Sequence, residues 1–216
     1  MSKSLQRSAF FPLTTEMSYT LLMIISALIS FLTEHTLLVL TAHILGTILG
    51  LGGATIADIL FFRFLKDYKI TAKECDVLHL LKGIILGALG LIILSGIGLY
   101  LTDIQRYSAS GPFLAKMLIV GIITINGIAL HVVIAPHFLR LDLKRYHVRY
   151  QHWRRLAFAL GGISVCSWYC AFFIAMLKTI LPQDFTLLFG GYLALLSLAL
   201  ITTQVMERRL IAMARA

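Results

Sequence analysis

The chain reads as an all-α polytopic membrane protein, a bundle of about six spanning helices with both termini on the cytoplasmic side. Three observations lead there. Of 216 residues, 59% are hydrophobic and 13% charged, against roughly 25% charged in ordinary globular chains. The mean hydropathy is +0.88, too apolar for a soluble core to hide. Six long apolar runs, at residues 17–32, 36–62, 77–101, 112–136, 156–177 and 185–206, divide one transmembrane domain spanning 1–216. Crossing the hydrocarbon in a helix takes about 20 apolar residues, and the first run meets that marginally. None shows the alternation of barrel strands, and a spanning backbone must satisfy its own hydrogen bonds.

The first run follows Lys3 and Arg7 and resembles a secretory leader. About a dozen mixed-polarity residues precede it, and Thr33, Glu34 and His35 follow it without a small-x-small cleavage site, so it is expected to stay as a helix. The second to fifth runs carry most glycines and charges and are expected to form the core, the first and sixth to be peripheral.

The connections fix the expected orientation. The one after the second run holds Arg63, Lys66, Lys69 and Lys73. The one after the fourth holds Arg140, Lys144, Arg145, Arg149, Arg154 and Arg155, and the tail holds Arg208, Arg209 and Arg215. The other connections hold only Arg106 and Lys178 as cations. This asymmetry places both ends inside a bacterial inner membrane. It also accounts for the net charge of +9 without nucleic acid, for which no binding module has room. Residues 138–155 alternate cations with Leu141, Leu143, Tyr146, Tyr150 and Trp153, a pattern suited to the inner headgroup level.

Small residues recur at helical spacing. Ala42, Gly46, Gly50 and Ala54 come every four residues, and Gly83 with Gly87 repeats that spacing. Such ridges let helix backbones approach. Three cysteines are present; Cys75 is expected in a cytoplasmic loop, where thiols stay reduced, while Cys166 and Cys170 sit one turn apart in an apolar run, where two thiolates would suit a soft metal and two thiols would suit plain packing.

Ionisable groups within spanning helices are costly and mark sites by default. Counting 1.5 Å per residue sorts them by depth. Asp58, His79, Lys82 and His131 fall towards the inner side, with Asn126 near the middle as a neutral companion. His43 and Lys116 fall towards the outer side. The inner group admits three readings. Asp58 and Lys82 pair as helix glue; His79 and His131 ligate one metal, a haem b iron above all, from two helices; or Asp58 and the histidines relay protons or bind a metal ion. His43 is a reserve haem ligand, with Met117 near its depth, or a hydrogen-bonded packing residue. No nucleophile–base–orienter set and no HExxH motif is present, so an enzyme is not expected.

The stretches GLGGATIAD (50–58), FFRFLKDYKIT (61–71), ILSGIGLYL (93–101) and FLAKM (113–117), with Asn126-Gly127 and His131, resemble a small family of bacterial polytopic membrane proteins that has no assigned activity. More loosely, His43 followed by glycines to Gly53, and a later helix with Lys116 and a histidine, resembles the copper-resistance D superfamily and small cytochrome b proteins. That likeness implies haem or copper. The chain departs from it in lacking outer loops rich in methionine and histidine. Three functions follow as expectations: a b-type haem electron-transfer protein, a proton- or metal-coupled carrier, and a structural subunit of a membrane complex. The bilayer, and a partner subunit or a second copy, are the expected partners.

Overall fold

The computed structural model describes residues 10–64, 71–134, 136 and 148–215. It is helical, with no strand among the described residues. In chain order the helices are α1 (Phe10–Glu34), α2 (Thr36–Phe64), α3 (Ala72–Thr102), the short α4 (Ile104–Ser108), α5 (Gly111–Ala129), α6 (Val148–Met176) and α7 (Phe185–Arg215). The last turn of α5 opens into a π-helical segment, Leu130–Ile134. Six of these helices are long and apolar enough to cross a membrane. The exterior agrees with that. Leu37, Leu94 and Ile125 are 70% exposed or more, which is tolerable where lipid is the solvent.

Several helices outrun the apolar runs, each for a local reason. α3 begins at Ala72 because Thr71 closes a capping box with Glu74: each satisfies the other's free backbone N–H. At the start of α7, Asp184 accepts from the Thr186 hydroxyl and from the Leu187 N–H, the latter at 2.8 Å. α6 starts at Val148 and α7 continues to Arg215, so both project past the apolar run, and their polar ends meet. Of the segment 138–155, expected at the headgroup level, residues 138–147 lie outside the described residues; Val148 onward is the beginning of α6.

The bundle is built around two tight hairpins. α2 packs most closely on α3, α6 packs on both α7 and α5, and α2 also touches α6. α1 rests against α3 with none of its spanning stretch buried. α7 is nearly as open along its apolar stretch, yet it inserts Tyr192 and Glu207 into the interior. The periphery expected of the last helix therefore holds for its apolar surface and fails for these two side chains.

The glycine ridge of α2 does what its spacing predicts. Gly46, Gly50, Gly53 and Ala54 are buried. A Cβ on Gly46 would meet Ile92 Cγ1 at 3.0 Å and the Ala88 carbonyl oxygen at 3.2 Å; one on Gly53 would meet Ile85 Cγ1 at 3.0 Å. Gly50 lies under the Trp168 ring, whose Cη2 would be 2.4 Å from a Cβ. Gly83 and Gly87 differ: a Cβ on either would meet nothing within 4 Å. Equal spacing puts residues on one stripe of a helix, and the stripe faces a neighbour only where a neighbour stands.

Candidate functional site

Two apolar clusters close the bundle. Cys75, Leu78, Ile134, Ala157, Phe158 and Ile211 form one, at the end where α2 stops and α3 starts. This is the basic end, carrying Arg63, Lys73, Arg155, Arg208 and Arg209. Ala54, Leu89, Ile92, Ile119, Ile123, Trp168, Ile174 and Tyr192 form the other, towards the opposite end. A cavity of about 680 Å³ runs along both, walled by α2, α3, α5, α6 and α7. Its lining on α6 extends from Ala157 to Phe173, roughly 24 Å at 1.5 Å per residue. The wall is mostly apolar. Asp58, Lys82 and Asn126 are polar exceptions in it, with Cys166 and Cys170 further along.

The helix contacts set the levels of these groups. Gly53 faces Ile85, and Gly127 faces Leu86 across 3.9 Å. Counting from those points, Asp58 and Lys82 lie near one level towards the basic end, and Asn126 lies roughly 9 Å further along the axis. Asp58 and Lys82 thus share a level along the bundle axis, as residue counting expects. Their expected pairing is not: among the described residues no ion pair or hydrogen bond joins them. Asn126 is 5% exposed. Its Nδ2 donates to the Leu160 carbonyl at 3.1 Å, and its Oδ1 has no partner. A buried amide oxygen without a donor costs about 1–3 kcal/mol, and none of the described residues supplies one.

The histidines lie elsewhere. His79 and His131 are both exposed, and neither lines the cavity. Each follows a cavity residue, Leu78 and Leu130, and one helical step of about 100° turns it off the wall. His79 Nδ1 is 3.6 Å from Cys75 Sγ on its own helix. The two imidazoles therefore do not fit a shared haem or metal inside the bundle. Among the described residues no three or more His, Cys, Asp or Glu side chains gather as a metal site.

His43 takes the packing role. Its Nδ1 is 3.1 Å from Ser95 Oγ, and the Ser95 hydroxyl also lies within hydrogen-bond reach of the Leu91 and Ile92 carbonyls. The hydroxyl and the imidazole nitrogen share one hydrogen bond, either of them able to donate. The ring edge fits beside Gly96, 3.5 Å from where a Cβ would stand. Lys116 lies over the Phe113 ring, 5.8 Å from its centre, away from the cavity wall. Cys166 and Cys170 face each other at 4.0 Å as free thiols.

One buried pair escaped the sequence. Arg154 Nε donates to Glu207 Oε1 at 2.6 Å, with the side chains 5% and 1% exposed. It joins α6 to α7 just beyond the cavity's basic end. Glu207 Oε2 is left without a partner. Arg154 and Glu207 stand in basic stretches that read as topology signals, which concealed them. The available signal was the lone acid in a tail otherwise populated by arginines.

No family model, curated protein or solved structure matches the chain.

Proposed function

We propose that this chain is an intramembrane carrier that takes up a lipophilic small molecule, with Asp58 as its proton-exchanging group. The observation that carries the reading is a carboxyl group, Asp58, with no ion pair or hydrogen bond among the described residues, on the wall of a large, mostly apolar cavity. A volume of about 680 Å³ falls within the roughly 300–1,000 Å³ of small-molecule sites, and such sites are apolar with a few placed polar groups. An ionisable side chain inside the membrane points to function unless it is paired. The helix-glue reading needs Asp58 bonded to Lys82, and that bond is missing. The bacterial inner membrane, with both termini in the cytoplasm, is part of this proposal and rests on the arrangement of cations.

Gly161 provides the test. It lines the cavity, and a Cβ there meets nothing within 4 Å, so Gly161→Leu fills the space without displacing backbone. Wild-type protein extracted in native lipid discs should retain a small lipophile, seen by mass spectrometry, that the filled variant lacks. Identical profiles would reject the cavity as a binding site. Asp58→Asn should retain the molecule and lose its pH-dependent exchange with acceptor vesicles.

A b-type haem is a separate proposal. It would have to bind on the outer face of the bundle, where His79 and His131 are exposed. Oxidised and reduced absorbance spectra decide it: no Soret band after expression with ample haem excludes it.

A further inference from the structure

We infer that the lipophile bound in the cavity carries a neutral hydroxyl group, of the phenol or long-chain alcohol class, which donates its proton to Asn126 Oδ1. The inference rests on the cavity being a binding site and goes on to define the head group.

Asn126 is the starting point. It is buried to 5% exposure on the cavity wall, its amide nitrogen is committed to the Leu160 carbonyl, and its oxygen is free. That commitment fixes the amide's orientation: reversing it would set oxygen against oxygen. The free atom is therefore an acceptor, and it requires a donor. Further along the same wall Asp58 offers acceptors and Lys82 offers donors, with neither satisfied by the other.

Charge selects among donors. The lining carries one acidic and one basic side chain near a common level, so an ammonium or carboxylate head meets attraction and repulsion together. Away from that level the lining carries no charged side chain, and an unpaired ion there is expensive. A hydroxyl has no such penalty. It donates to Asn126 and keeps lone pairs for a second donor. The mostly apolar lining, roughly 24 Å long on α6, suits a chain-like body attached to that head.

The π-helical segment follows. It starts at Leu130, three residues after Gly127, and lines the cavity through Leu130 and Ile134. Such single-turn widenings gather at functional sites.

The test uses four pyrene-labelled alkyl probes of equal length, ending in hydroxyl, methyl ether, amine or carboxylate. The protein carries Trp153→Phe, leaving Trp168 in the cavity wall as sole donor for energy transfer to pyrene. It is measured in lipid discs against protein-free discs. The hydroxyl probe should show saturable transfer with affinity at least about 10-fold above each of the other three, the scale of one added hydrogen bond. Asn126→Leu should bring hydroxyl and ether together.

Equal affinity of hydroxyl and ether in the wild type would overturn the inference, since a water molecule would then be satisfying Asn126. Tightest binding of the amine or carboxylate would overturn it in favour of an ionic amphiphile. If every probe binds saturably and Gly161→Leu abolishes all of it, the cavity stands whatever the head-group order. If Gly161→Leu changes nothing, the binding site itself is refuted, and the head group with it. The ether comparison needs no variant of Asn126, so a folding defect in Asn126→Leu does not blunt the test.

Discussion

Arg154→Met is the sharpest perturbation of the bundle. Arg154 meets Glu207 at 2.6 Å, with 5% and 1% of the two side chains exposed. Glu207 already has one oxygen unpaired. Removing the guanidinium leaves a nearly inaccessible carboxyl group with no partner on either oxygen. Deleting one member of a buried pair costs about 3–5 kcal/mol, while replacing both by apolar groups is close to neutral. Arg154→Met should therefore destabilise by about 3–5 kcal/mol, and Arg154→Met with Glu207→Leu should recover most of the loss. Arg208→Met, an exposed neighbour, should stay within about 0.5 kcal/mol. Unfolding in mixed micelles with rising SDS fraction, followed by tryptophan fluorescence, gives the three values. A loss under about 1 kcal/mol for Arg154→Met, as for an exposed ion pair, would refute the reasoning. So would a double variant no better than the single.

Other outcomes follow from single contacts. Gly50→Ala should cost about 1–3 kcal/mol by overpacking against Trp168, read from the same titration, and Trp168→Phe should relieve part of it. Gly83→Ala and Gly87→Ala should instead be neutral or stabilising by up to about 1 kcal/mol, because no atom waits for the methyl group. Ser95→Ala should cost about 1 kcal/mol through the lost bond to His43. The Thr186 hydroxyl and the Leu187 N–H hold the Asp184 carboxyl below its usual range. Its contribution is thus fully present above the ordinary Asp value and is lost as pH falls through the lowered one; Asp184→Asn should flatten that acid-side slope in melting curves.

Position along each helix axis was legible in the sequence, and direction around each helix was not. Hydropathy places six helices, because lipid demands long apolar runs whatever their neighbours. Counting residues puts Asp58 and Lys82 at a common level, and they are there. Whether two side chains meet depends on rotation about each axis, and α2 and α3 are apolar on nearly all faces, so no stripe marks the interior. That is why Leu78 faces the cavity and His79 does not, and why the Gly83 and Gly87 stripe looked like an interface. Asn126 was visible as a polar residue at depth; its unpaired oxygen follows from the Leu160 carbonyl, 34 residues away in sequence. The Arg154–Glu207 bond was hidden because arginines near a membrane edge already have an explanation.

The chain folds back twice into pairs that hold differently. α6 and α7 are clasped at two heights, by the buried ion pair and by Gly162 lying against Thr203, whose Cγ2 would be 2.9 Å from a Cβ. α2 and α3 interlock through the backbone-close glycines. Between the pairs, Trp168 rests on Gly50, the Thr55 and Tyr169 hydroxyls meet at 3.1 Å, and Phe158 packs edge-on against Phe61 and Phe62. A larger residue at Gly50 would therefore push the two pairs apart, whereas one at Gly46 or Gly162 would spread a single pair from within.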